Sequence, residues 1–589
     1  MHATDPAAPA TSRTVLTRRR LLMLSGAVML TPLLAACQQP APAASPAKPA
    51  ESKPAESKPA QAAPAVTSAP AAAAPPKPVE AAKPAEAAKP VAAAKPSGTL
   101  VMATNTEVGP LENSLNLGGD TQRCLLDVYD RLVQEDLSVD SPIPPLVPSL
   151  ATAWTSTPDG SAWTFTLRQG VTFHDGSPFN ADAVKFNIER LTKPDHEFYF
   201  ERGAGATKIV YGNIASVDVV DPHTVRMNMS KPYSNLPDAL SLPIASMANP
   251  AVIKQYGNND HPAHASGTGP YKFVSQEKGV KLVLEANPNY WGGPVPLQQI
   301  IIRPIAETTA AASALLSGEI QMFATRDSDA VEPLRSNAGL EFKTANMPLS
   351  NPWIFNLAEK PFDDKRVRQA LNWAVDRETY AKTILKGLAQ PSKSVFGPSM
   401  AAFDPALAGY TYNPDKAKAL LAEAGFPNGF SFKMATARSN GLDQLALYVK
   451  DNLAKIAVNV EVELFEANTF AANANKDGIK PGIGALGWSW IGNPPFNFDR
   501  FFTAAFAPPN GANWGAYKSD KVEELLAQVG KTSDREERLK LYRQLDAQIV
   551  EDAPWLFLMH PGEVRVSSKK LTWVSANATF FTLRNASMA

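Results

Sequence analysis

Between Val147 and Leu191 the chain changes its hydrophobic period twice. Trp163, Phe165 and Leu167 alternate with Thr164, Thr166 and Arg168, the period-two spacing of a strand with one buried face. Pro158, Asp159 and Gly160 form a turn signal before it, and Gly170, Asp175 and Gly176 bracket a second short strand at Val171 and Phe173. A hairpin-like unit is expected. Val184, Ile188 and Leu191 then recur at i, i+4 and i+7 behind Asn180, a good N-cap, with Asp182 in the first turn. That spacing predicts an amphipathic helix.

The two periods keep alternating from about residue 98 onward. Leu100 and Val101 begin a strand; Cys124, Leu125, Val128 and Leu132 share one helical face; Val225, Met227 and Met229 alternate as a strand. From Ile300 to Phe323, two apolar strands flank a helix carrying Ala311, Ala314 and Leu315, a βαβ-like arrangement. Val367, Ala370, Leu371, Ala374 and Val375 form a helical stripe behind Asp363 as cap, and Asn413 and Pro414 open a helix that Gly425 stops. Leu442, Leu445, Val449 and Leu453 make another stripe, followed by a strand alternating Val458, Val460, Val462 and Leu464. Ser533 with Glu536 reads as a capping box for a helix through Tyr542, Leu545 and Ile549, and Pro554 to Met559 as a buried strand. Helices and strands in alternation define an α/β class.

Before residue 98 neither period is present. Arg18, Arg19 and Arg20 precede an apolar run from Leu21 to Ala36, shorter than the ~20 residues that span a bilayer and ending in small residues, as a secretory leader does. Leu34, Ala35, Ala36 and Cys37 resemble the lipobox of bacterial lipoproteins, which implies lipidation of Cys37, and Thr17 to Leu22 look like a twin-arginine export motif. Residues 38 to 97 are Ala, Pro, Lys and Glu in near-repeats, with too little apolar surface to offset the entropy of ordering. They read as a disordered stalk.

Composition narrows the chemistry. The 589 residues carry 57 Lys and Arg against 57 Asp and Glu, so no concentrated basic surface for nucleic acid is indicated. Cys124 is the one cysteine of the folded part and has no internal partner. Gly487 to Gly492 is not a nucleophile elbow, and no P-loop, H-E-x-x-H or dinucleotide fingerprint occurs. His261 and His264 sit in an Asn/Pro/Gly segment that reads as a solvated loop, and His174 in FHDG reads as structural. Trp488, Trp490, Phe496 and Phe498 crowd a Gly/Pro/Asn loop that suits either core packing or ligand recognition.

The ordered segments PSLATAW, PDG, WTFTLRQGVTFHDG and ADAVKFNIERL, then GTGPYKF, NPNYWGG, GEIQM and PFDDKRVRQALNWAVDRE, closely resemble the signature of the family 5 solute-binding proteins of ABC importers. That group includes oligopeptide-, dipeptide- and nickel-binding proteins. The resemblance implies a two-lobed periplasmic-binding-protein-like α/β fold (type II, cluster C), with an inserted subdomain and a ligand cleft between lobes. Lobe one would comprise about 98–142, 266–362 and 549–589, the insert about 143–265, and lobe two about 363–548. It implies a binder rather than an enzyme, with no catalytic residues, no cofactor and no metal. Its expected partners are a peptide or other small solute, permease subunits and, through Cys37, the membrane, with the protein itself a monomer in the cell envelope. An enzyme in the same cleft, or a sensory binding protein without a transporter, is the alternative. By the same resemblance the cleft candidates are Trp488, Trp490, Asn493, Trp353, Asn356, Asn105 and Glu107. Peptide-binding members hold the ligand's ammonium with an aspartate where this chain has Trp490, Ile491 and Gly492.

Overall fold

The computed structural model describes residues 95–115, 119–141, 143–438, 441–480, 482–485, 488–489, 498–576 and 580–589. The leader, Cys37 and the Ala/Pro/Lys-rich segment as far as residue 94 lie outside them, as do Trp490 and Asn493.

The first strand, β1 (Thr99–Thr104), turns Leu100 and Met102 to one side-chain layer and Val101 and Ala103 to the other, so it is an interior strand from its first turn of pleat. The helix α1 (Gly119–Val128) follows. The hairpin expected from the period-two stretch is β2 (Ala151–Ser156) with β3 (Ala162–Leu167), paired antiparallel. Next comes α2 (Ala181–Thr192), where the Asn180 side chain accepts from the Ala183 amide and Val184, Ile188 and Leu191 are buried. With β4 (Ile214–Asp221) and β5 (Thr224–Met229) the hairpin forms a separate four-stranded sheet in the order β2-β3-β5-β4. Its apolar face packs on α2 and on α3 (Leu236–Leu240), giving this region its own core.

The chain then builds one large sheet. Strands β6 (Tyr271–Glu277), β7 (Lys281–Ala286) and β8 (Gln299–Pro304) lead through α4 (Thr308–Ser317) to β9 (Met322–Thr325). Both β8 and β9 pair parallel to β1, which lies between them, so the βαβ unit is real with a third strand at its centre. After β10 (Leu340–Asn346) and β11 (Leu349–Phe355) come α5 (Lys365–Trp373), β12 (Ala389–Pro391) and α6 (Pro414–Glu423). The next alternations are β13 (Phe430–Ala437), α7 (Leu442–Ala454) and β14 (Val458–Phe465), then β15 (Ile483–Ala485) and β16 (Trp488–Ser489). The body closes with α8 (Asp520–Lys531), α9 (Arg535–Asp552) and β17 (Trp555–Ser568).

The main path of the sheet runs β14-β13-β15-β11-β17-β9-β1-β8-β7-β6. Its geometry turns on β17. Trp555 to Met559 pair with β11, whereas Gly562 to Ser568 pair with β10 on that edge and with β9 on the other. Two antiparallel connections, β17 and the β10–β11 run, therefore pass from one half of the sheet to the other. In the β11 half, Trp555 and Phe557 face one core while Leu556 and Leu558 face its opposite.

Several local expectations shift. The helix expected through Leu132 ends at Val128, because the carbonyls of Val128, Asp130, Arg131 and Leu132 accept from Gly269, Met247, Leu150 and Ala151 instead. Val171 to Phe173 is no strand; a single bridge joins Thr172 to Pro178. The caps move by one residue: Asp364 accepts from the Arg366 amide and Asp534 from the Glu537 amide, while Ser533 Oγ donates to the Pro158 carbonyl. His261 is not solvated but fully buried against Glu112, with Arg190 Nη2 at 3.0 Å from the same carboxylate. Burial alone would raise the Glu112 carboxyl; Arg190, His261 and Ser114 hold it well below the usual range. His264 does lie at the surface, stacked on Tyr256.

Candidate functional site

In an open α/β sheet, ligands meet the carboxyl ends of parallel strands, where helix N-termini and loops converge. Here β1 and β9 end toward the strand crossing from one half, at Asn105 and Arg326. From the other half, β13 and β15 run parallel and end at Arg438 and just before β16. The tips meet: Arg326, beyond β9, and Gly441, Leu442 and Leu445, at the start of α7, line one pocket of about 60 Å³. Its floor is the crossing itself, with Asn351 of β11 and Met559, Pro561 and Gly562 of β17. Tyr380, Leu385, Leu388 and Ala389 complete an apolar wall. The pocket thus takes one side from each half of the sheet and its base from the strands that join them.

Arginines stand at two strand tips here, and Asp443, in the first turn of α7, faces the Tyr380 hydroxyl, which burial and that carboxylate raise. Arg326 is exposed and donates from Nη2 to Met347 Sδ at 3.0 Å; Arg438 is exposed beyond β13, its amide bonded to the Phe465 carbonyl at 2.8 Å. No described carboxylate pairs with either. His560, next to the floor, is buried with Nδ1 at 3.0 Å from the Leu349 carbonyl, and burial lowers it to about 4; it is neutral at ordinary pH. Among the described residues no group of His, Cys, Asp and Glu is placed to hold a metal ion.

The sequence-derived candidates fall in different places. The backbone of Trp488 reaches the crossing, where it pairs with Ser350 of β11; its side chain is outside the description, as are Trp490 and Asn493. Trp353 and Asn356 continue β11 away from the crossing and are buried, at 0% and 8% exposure. Asn356 donates to the Ile479 carbonyl at 2.9 Å and accepts from the Ala358 amide at 3.1 Å. Asn105 and Glu107 lie exposed after β1, where Glu107 Oε1 accepts from the Gly279 amide at 3.0 Å. Sequence reasoning passed over Arg326, Asn351 and Leu442. The usable signal was positional, since each follows or joins a strand that ends at the crossing. His174 does serve the fold: Gly267 donates to its Nδ1 at 3.3 Å and Nε2 bonds the Gly269 carbonyl at 3.1 Å.

Two half-sheets joined by a pair of crossing strands, with a pocket at the opposed strand tips, define a two-lobed solute-binding fold. Comparison with known proteins agrees. Residues 145–508 match the bacterial extracellular solute-binding proteins, family 5 middle. The glutathione-binding protein GsiB of Salmonella typhimurium is 32% identical over 439 residues, 73% of this chain and 84% of that protein. Among solved structures, the periplasmic binding protein DppA of Helicobacter pylori in complex with the peptide STSA aligns with TM-score 0.71 and 27% identity. That alignment covers 84% of this chain and 98% of the other. NikZ of Campylobacter jejuni in complex with Ni(L-His) aligns with TM-score 0.68 and 27% identity over 83% and 96%. The chain belongs to the family 5 extracellular solute-binding proteins. It is a substrate-capturing protein of an ABC importer, and its relatives are binding proteins rather than enzymes.

Proposed function

We propose that the cleft captures a small anionic organic solute, peptide-like or derived from a peptide, and releases it unchanged to the permease. One observation carries this reading: the pocket at the strand crossing has an apolar wall and Arg326 at its edge, with Arg438 at the neighbouring strand tip, and no described carboxylate pairs with either arginine. Arginine forks favour carboxylate and phosphate, so an acidic ligand group is matched. The absence of an acid at Trp490, Ile491 and Gly492 argues that a free α-ammonium is not what the site reads there, because a buried ammonium without a partner loses several kcal/mol. Trp488 opens β16 and Trp490 and Asn493 follow it in the chain; the two indoles are flat and apolar in character, and these three residues are kept as proposed ligand contacts. The lobe and insert boundaries given above, with lobe one closed by β17, frame this cleft.

The relatives named for glutathione and peptides support trying those solutes first. Calorimetry with reduced glutathione, Met-Leu and N-acetyl-Met-Leu is expected to show binding that survives blocking the amino terminus. It should weaken at least about ten-fold in Arg326→Gln, the loss of one charge-assisted contact. Tight binding of unmodified peptides that vanishes on N-acetylation and ignores Arg326→Gln would sink the anionic reading.

Anchoring belongs to the same proposal. Cys37 carries the lipid and the segment to residue 97 is the tether, reaching up to ~3.1 Å per residue. Cys37→Ser should yield soluble protein without lipid by mass spectrometry. A wild-type mature N-terminus well past Cys37 would remove the anchor.

A further inference from the structure

Outside the pocket lining, the two lobes touch a second time. The segment around α3 belongs to the core of the four-stranded sheet, with Tyr233, Leu236 and Leu240, whereas α8 and α9 belong to the core beside β11 and β17, with Tyr542, Leu545 and Trp555. Between these cores the contact is polar. Asn235 Nδ2 donates to Tyr542 OH at 2.8 Å, Ser234 Oγ to the Gly530 carbonyl at 2.9 Å, and Ser533 Oγ to the Pro158 carbonyl at 3.3 Å. Asp238 and Arg538 face each other at 3.6 Å with both side chains almost fully buried.

That pair is poorly matched. Asp238 Oδ1, Arg538 Nε and Asn235 Oδ1 are buried with no hydrogen-bond partner among the described residues, and Arg538 spends its Nη1 on the Thr532 and Ser533 carbonyls of its own segment. A permanent contact between cores would be apolar and satisfied; ion pairs buried without full hydrogen bonding add little or detract. A contact made of hydrogen bonds that water can replace, and weakened by an unsatisfied charge pair, separates without exposing much apolar surface.

We infer that this contact is a closing latch on the cleft. Asn235, Tyr542, Ser234 and Ser533 hold it shut, and the imperfect Asp238–Arg538 pair keeps it reversible, so these positioning residues set how long a captured ligand stays. The inference rests on the solute-capture reading of the crossing pocket. None of the latch residues lines that pocket.

Two substitutions with opposite expected signs test it. Ser234→Ala with Tyr542→Phe removes two latch hydrogen bonds. Dissociation of reduced glutathione followed by stopped flow should speed up by about ten-fold, with the association rate within about two-fold, as mutations at one interface act mostly on dissociation. X-ray scattering of the ligand-free protein should show a larger radius of gyration. Asp238→Asn removes the unsatisfied charge while Arg538 keeps its two carbonyls; dissociation should slow and the scattering envelope contract. Equal shifts in one direction, or unchanged rates and scattering in both variants, overturn the latch. Should Tyr542→Phe fail to fold, Ser234→Ala alone, with Asp238→Asn, decides by the same opposition. If glutathione does not bind, the scattering arm decides by itself, which separates failure of the latch from failure of the ligand reading.

Discussion

The strand crossing and the contact of the α3 segment with α9 are built on opposite principles. At the crossing, β17 and the β10–β11 run pair through their backbones, Asn346 with Gly562 and Asn351 with Met559, beneath apolar side chains. At the latch no strand crosses, and the contact is side chains donating to carbonyls and a hydroxyl, with three buried polar atoms left over. Backbone ladders under apolar cover keep their partners whatever the lobes do, while the latch exchanges its bonds for water at little loss. A binding protein needs both kinds of connection, one that never opens and one that must.

The sharpest way to break that contrast is at Gly562. A Cβ there would sit 2.5 Å from the Leu388 carbonyl oxygen and 3.1 Å from that of Ala345, both backbone atoms fixed by pairing with β17. Gly562→Ala is expected to lower unfolding free energy by about 1–3 kcal/mol, the range for overpacking, and so to cut the melting temperature by several degrees. Gly441 is the control: it has open space around it, though φ is +73°, and its alanine variant should lose only about 1 kcal/mol. Equal losses at the two glycines would show that the crossing is no tighter than a loop. Within the pocket, Ala389→Leu adds methyl groups to a wall around only about 60 Å³. Ligand affinity should drop about ten-fold, or 1.4 kcal/mol, with melting nearly unchanged; an unaltered dissociation constant by calorimetry would place the ligand elsewhere.

The elements were largely legible in the chain and the site was not, for a physical reason. Val184, Ile188 and Leu191, or Val367, Ala370 and Leu371, repeat at the helical period because one face is buried, so periodicity found them. The caps slipped by one where two capping residues are neighbours, Asp363 and Asp364 or Ser533 and Asp534, and only tertiary placement chooses. The pocket draws Arg326, Asn351, Leu388, Leu442 and Met559 from five segments, and its apolar members look in sequence like any core residue. His261 was opaque for the same reason, since Glu112 and Arg190 come from other segments of the chain. Trp353 shares a strand with Asn351 and Asn356 follows its end, both further from the crossing, a distinction made by where β17 crosses and not by composition.

An effect of about ten-fold at most is also the one that reads the latch most directly, through protons. Burial pushes the Asp238 carboxyl up to about 6, outweighing Arg538 at 3.6 Å. The other ionisable groups facing it are Arg535, Glu135, which burial raises to about 7, and the tyrosines Tyr233 and Tyr542, whose hydroxyls burial keeps neutral. With the lobes apart, Asp238 meets water and falls back toward 3.8. Closure then takes up a proton between pH 3.8 and about 6, so closing is favoured as pH falls through that window and the gain is absent above it. His174 and His560, both lowered to about 4 by burial, stay neutral across most of it and add no opposing slope. Ligand affinity is therefore expected to rise by up to about ten-fold from pH 7 to pH 5, the linkage from one such group, and the rise should disappear in Asp238→Asn. An affinity that falls over this range in the wild type, or a slope that persists in Asp238→Asn, would move the proton uptake to another group and leave the latch without its reversible charge.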